Sequence, residues 1–132
     1  MKDDFLEEKQ NLIPEDDDNM PFVDLTMINE LSQRDNVYKK TIINMFLASM
    51  PETIQQIDKE FALENWDAFS KAAHYANSSL SVVNVASLRF LVVKMETYAK
   101  KLEHLDQLAG MVKEMKKQYA KVVTILEAEL NK

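Results

Sequence analysis

Apolar residues recur at helical spacing in one short and four long stretches of the chain. Leu25, Ile28 and Leu31 follow Asp24, which is suited to cap a short first helix. A break at Asp35-Asn36 supplies a second cap, and Tyr38, Ile42, Met45, Phe46, Ser49, Ile54, Ile57 and Phe61 then predict a long helix. Pro51 lies inside it, where the ring removes an amide donor and crowds the preceding turn, so a bent helix is expected rather than two separate ones.

Asn65 can cap a third helix, with Asp67 at the positive end of its dipole and Phe69, Ala72, Ala73, Ala76, Leu80 and Val83 on one face. A short connection near Val83-Asn84 leads to Leu88, Leu91, Val92, Met95, Ala99 and Leu102 in the fourth. After a break at His104-Leu105-Asp106, the last helix carries Leu108, Met111, Val112, Met115, Tyr119, Val122, Leu126 and Leu130. Gly110 falls in this helix, where glycine is worse than alanine by about 1 kcal/mol. It marks either a frayed first turn or a close packing contact.

Four amphipathic helices with short connections predict an all-α fold, an antiparallel four-helix bundle with a short additional N-terminal helix closing one end. The length of 132 residues suits a single domain. One glycine and three prolines are too few for a strand-and-turn architecture. Residues 1–21 show no apolar period and hold eight acids against Lys2 and Lys9, so they are expected to be an acidic, disordered leader to a bundle over 22–132.

The leader accounts for the whole net charge of −6, which leaves a formally neutral body. Nucleic acid is therefore a poor main ligand, since phosphate neutralisation needs a basic surface. The absence of cysteine excludes disulfides, thiolate metal sites and cysteine nucleophiles. Without a secretion signal or a membrane-length apolar run, a cytoplasmic monomer is expected. The eight methionines are read as core filler.

The third helix carries the candidate chemistry. Opposite its small apolar stripe lie Asp67, Ser70, Lys71, His74, Asn77, Ser78 and Ser81, with His74 near the middle. Serines one turn away on an exposed helix make poor members of a nucleophilic triad. No carboxylate stands three or four residues from His74, and the Glu-x-x-His pattern of metal-binding bundles is absent. With one glycine the chain has no Gly-rich phosphate loop, so autonomous ATP-dependent kinase activity is not expected.

A solitary histidine on a polar helix face is usually only solvated, and that reading is kept for His104, near a helix end. At His74 the remaining chemistry is phosphoryl transfer, because a histidine near pH 7 is largely neutral and keeps a nucleophilic ring nitrogen. Small neighbours let a partner's active site close over it. Lys71, Asn77 and Ser78, one turn away, are placed to steady phosphoryl oxygens.

The run Ala73-His74-Tyr75-Ala76-Asn77-Ser78-Ser79 resembles the signature of histidine-containing phosphotransfer (HPt) domains, roughly A-H-x-L-K-G-S. Phe46-Leu47-Ala48-Ser49-Met50-Pro51-Glu52 is similar to the family's preceding helix, and Ala62-Leu63-Glu64-Asn65-Trp66-Asp67 to its acidic turn. Ala86, Leu88 and the closing helix extend the resemblance over about residues 22–130. Three positions depart from it: Ala76 replaces a common leucine, Asn77 the usual lysine and Ser78 the usual glycine. Asparagine donates a hydrogen bond but no charge, which Lys71 is placed to supply instead.

The resemblance implies a phosphorelay intermediate without a cofactor of its own. His74 would accept a phosphoryl group from the aspartyl phosphate of a response-regulator receiver domain, which brings its own Mg²⁺, and pass it to another receiver. A hybrid sensor histidine kinase is the other implied partner. Docking would use Tyr75, Ser70 and Ser81, with Leu25 or Ile28 from the first helix. The alternatives are an adaptor of the same fold that binds a receiver or kinase without phosphotransfer, and a plain structural bundle.

Overall fold

In the computed structural model, which describes residues 21–33 and 35–132, the helices begin and end largely where local chemistry dictates. They are α1 (Thr26–Ser32), α2 (Asn36–Ala62), α3 (Trp66–Leu80), α4 (Ala86–Lys101) and α5 (Leu108–Leu130), with a single 3₁₀ turn at Leu105–Gln107 before α5. All but the last residue of the expected leader over 1–21 lie outside the described residues.

Asp35 caps α2 by accepting from the amides of Val37 and Tyr38 at 3.0 and 3.2 Å, and Asn65 caps α3 by accepting from Ala68 at 3.5 Å. Asp24 stands one residue further out than expected: the cap position of α1 is Leu25, while the Asp24 carboxylate accepts from the Thr26 amide at 3.0 Å. Hydrogen bonding from the Thr26 side chain, and then from its amide, holds the Asp24 carboxyl below its ordinary range. The Asp24 amide in turn donates to the Asn84 carbonyl at 2.8 Å, an isolated bridge that ties the start of α1 to the α3–α4 connection.

The long helix α2 continues through Pro51 as one element. With only one glycine in the chain, several helix ends place other residues in the left-handed region, Gln33, Glu64, Leu102 and His104 among them.

In the bundle α2, α3, α4 and α5 each pack against two neighbours, with α1 lying on α2. The core follows the predicted stripes of α3, α4 and α5, while α2 turns a neighbouring line inward: Ile43 and Met50, outside its predicted stripe, join Phe46 and Ile57 against Phe69, Ala73, Ala76 and Leu80 of α3, Leu88, Val92 and Met95 of α4, and Met115, Val122 and Leu126 of α5. Burying an aliphatic side chain of this kind stabilises the fold by roughly 1.5–3 kcal/mol. Phe61, Trp66 and Phe69 form a three-ring cluster at the α2–α3 turn, with centroids 5.7–6.2 Å apart, and fix where α3 starts.

Several stripe positions face solvent instead: Leu31, Tyr38, Met45 and Leu102 are exposed because each lies toward the edge of its helix's apolar arc or at a helix end. The methionines divide likewise, with Met50, Met95 and Met115 buried and Met27 and Met45 exposed. Gly110 is in the first turn of α5 and exposed, and a Cβ built there would meet nothing within 4 Å, so no packing contact explains it.

Between α2 and α5 the charges are paired. Lys39 bonds Glu129 at 2.9 Å and Lys116 bonds Asp58 at 2.6 Å. Hydrogen bonds from Lys132 and Lys39 hold the Glu129 carboxyl below its usual range. The Tyr119 ring lies 6.1 Å from that of Phe46, its hydroxyl is buried without a hydrogen-bond partner, and burial pushes the phenol's pKa up.

Candidate functional site

The position of His74 follows from its neighbours. Ala72, Ala73 and Ala76 are buried, and their small side chains let α3 approach the adjacent helices closely. The flanking helices therefore rise beside His74 without covering it, and its side chain is 66% exposed.

One ring nitrogen is engaged. His74 Nδ1 lies 3.0 Å from Oε2 of Glu96 on α4, and the Glu96 side chain is only 18% exposed. An ionised carboxylate can only accept, so this contact assigns the proton to Nδ1 and leaves the lone pair on Nε2. The outward nitrogen is thus the nucleophilic one. Once Nε2 is bonded to an electrophile the ring carries positive charge, and the same carboxylate stabilises it.

A second α4 side chain reaches the same face. Arg89 donates from Nε to Asn77 Oδ1 at 3.2 Å and from Nη1 to Asn84 Oδ1 at 3.3 Å. Arg89, Val93 and Glu96 are spaced by four and three residues, so they share one side of α4, flanking the buried line of Leu88, Leu91, Val92 and Met95. Asn77, Asn84, Ala86, Arg89, Phe90 and Val93 line an open depression of about 440 Å³.

Neither Glu96 nor Arg89 is marked by the motif around His74. The available signal was the polar seam of α4, once α3 and α4 are set antiparallel.

The other expected site residues are distributed unevenly. Lys71 pairs with Asp67 at 3.1 Å, and both side chains stand well out in water, 76% and 80% exposed. Ser78 donates from Oγ to the His74 carbonyl at 3.4 Å, and Ser81 donates to the Ser78 carbonyl at 2.6 Å. Ser70 is a correction: its hydroxyl is turned back to donate to the Asp67 carbonyl at 2.8 Å and the residue is buried, so it offers no docking surface. Ile28 is fully buried and is likewise removed from that role.

Tyr75 is 59% exposed on the α2 side of His74. It joins two grooves between α2 and α3, one reaching Glu52 and Gln56, the other running past Met45 and Tyr38. His104 packs its ring 4.7 Å from Tyr98, away from these features in the chain.

Among the described residues no group of three His, Asp or Glu side chains is arranged to hold a metal ion, and no helix is long and apolar enough to cross a membrane. The arrangement offers one oriented nucleophilic nitrogen, a paired carboxylate behind it, a fixed guanidinium nearby and open approach from solvent.

A family model for the Hpt domain matches residues 41–125, a span that begins in α2 and ends in α5 and contains His74, Arg89 and Glu96. No curated protein and no solved structure matches the chain.

Proposed function

The chain belongs to the Hpt domain family, whose members are phosphotransfer domains of two-component phosphorelays, and we propose that His74 is the residue through which it carries the phosphoryl group. The observation that carries this reading is the pairing of Nδ1 with Glu96 at 3.0 Å while the side chain remains two-thirds exposed. It leaves Nε2 as an accessible nucleophile of defined tautomer.

In the proposed step a receiver domain presents an aspartyl phosphate to the His74 face. The Nε2 lone pair attacks phosphorus in line, the P–O bond to the aspartate breaks, and the carboxylate leaves. The Nδ1 proton stays between the ring and Glu96, where the positive charge developed on the imidazole is met by the carboxylate. Transfer onward runs the same step in reverse, to the aspartate of a second receiver.

The chain's contribution is positioning and charge compensation, which is most of what phosphoryl transfer requires of a carrier. Mg²⁺ belongs to the receiver in this proposal. Tyr75 and Ser81 flank the approach, and Ser78 and Asn77 lie one turn along α3 on the same polar side.

Incubating the purified chain with phosphorylated receiver domains and Mg²⁺ tests the reading. Label that is stable to alkali and lost in acid should appear on the native chain and be absent from H74Q. Binding to receivers without such label would favour the adaptor reading instead.

A further inference from the structure

A phosphoryl group on His74 Nε2 brings about two negative charges to a place already facing the carboxylate of Glu96. An arrangement that holds it needs a cation close by. Lys71 is poorly suited, because its ammonium is already paired with Asp67 and both groups are strongly solvated.

Arg89 differs in each respect. It is half-buried, and two side-chain amide oxygens, from Asn77 and Asn84, fix its guanidinium plane. Asn77 follows His74 by three residues on α3, about 4.5 Å along the helix axis. The guanidinium Nε is 3.2 Å from the Asn77 oxygen, so Arg89 reaches across to the turn of α3 that follows His74. With Nε and one Nη1 donor engaged, three of the five guanidinium donors stay clear of these two bonds, both of those on Nη2 among them, and they can meet phosphate oxygens.

Resting on the phosphotransfer reading of His74, we infer that Arg89 is the phosphoryl-binding cation of this site, and that Asn77 and Asn84 are the positioning residues that aim it. Asn77 thus contributes charge indirectly: its oxygen holds a guanidinium belonging to the neighbouring helix. Arg89 and Asn77 line an open depression with Phe90 and Val93, so the guanidinium is reached from solvent rather than sealed in the bundle.

The experiment uses the full chain and phosphoramidate as a small-molecule donor, so that no partner protein is needed. In the labelling step the donor's P–N bond breaks, ammonia departs, and the His74 Nε2–P bond forms. Native protein, R89Q, R89K and H74Q are followed by intact mass and by ³¹P NMR, and thermal melting checks that each is folded.

Labelling of R89Q should be about threefold to tenfold slower than native, with R89K within about twofold of native. The ³¹P signal of labelled R89Q should also titrate at higher pH than native, since a lost cation weakens the dianion. A purely structural role for Arg89 would leave that titration unmoved.

R89Q matching native in rate and titration overturns the inference, as does R89K failing as fully as R89Q. If R89Q melts well below native, the ³¹P titration of R89K against native decides instead: unlike curves overturn the assignment of charge. No label on His74 in the native chain removes the functional reading itself, an outcome distinct from label that ignores Arg89.

Discussion

The α2–α5 and α3–α4 faces of the bundle use similar residue types to opposite ends. Between α2 and α5, Lys39 meets Glu129 and Lys116 meets Asp58 at salt-bridge distance, and the Tyr119 hydroxyl is enclosed without a partner. Charge there is matched within the chain. Between α3 and α4 the groups are also joined in pairs, but each pair leaves capacity over: His74 keeps an outward nitrogen, and Arg89 keeps N–H donors, those of Nη2 among them, after bonding Asn77 and Asn84. Polar groups on a helix face reveal little by themselves. The distinguishing feature is whether the capacity left over is sealed inside the molecule, as at Tyr119, or open to solvent, as at His74.

The strongest way to break the contrast is to remove the carboxylate that makes His74 one-sided. Glu96→Ala should slow phosphoryl uptake on the order of 10- to 100-fold, because the tautomer and ring orientation are no longer imposed. NMR of the labelled histidine should also show a rising share of phosphorylation on Nδ1. Uptake equal to native, with all label on Nε2, would mean that the 3.0 Å contact has no part in selecting the nitrogen.

An intermediate effect comes from a position outside both faces' chemistry. Gly110 sits in the first turn of α5 with open space where a side chain would be. Gly110→Ala should therefore stabilise the fold by about 0.5–1 kcal/mol, read as a higher melting temperature with unchanged phosphotransfer. A drop in stability would expose a constraint on this turn that its geometry does not show.

The smallest expected change sharpens the comparison from the closed face. Tyr119→Phe removes a hydroxyl that makes no hydrogen bond, so stability near neutral pH should move by less than about 0.5 kcal/mol. Its pH dependence carries the signal. The folded phenol ionises above its ordinary pKa of 10.0, so the unfolded chain loses its proton first. Stability should fall as pH rises from about 10 onward, and part of that alkaline slope should vanish in Y119F. Equal slopes in both proteins would show that Tyr119 does not drive it.

The bundle itself was legible because periodicity survives without tertiary information. The stripe Phe69, Ala72, Ala73, Ala76, Leu80 and Val83 is buried throughout. The caps at Asp35 and Asn65 were equally local, since each oxygen serves amides two or three residues away. His74 could be singled out for the same reason, as one residue on one face.

Ser70 was misread because a hundred-degree wheel places it among polar neighbours, while its hydroxyl can satisfy itself on the Asp67 carbonyl and tolerate burial. Glu96 and Arg89 were out of reach for a different reason. Each lies more than ten residues from its α3 partner, and the pairing depends on how two antiparallel helices register. Local pattern supplies the nucleophile's address, and packing supplies the residues that condition it.

Asn84 gives the architecture one more consequence. Its carbonyl receives the Asp24 amide and its side chain receives Arg89, so a single residue of the α3–α4 connection fastens the threshold of α1 and steadies the guanidinium. The short helix at the end of the bundle is thereby wired to the polar seam although it makes none of the contacts that define His74. Whatever grips or releases that end of the molecule pulls on the same peg.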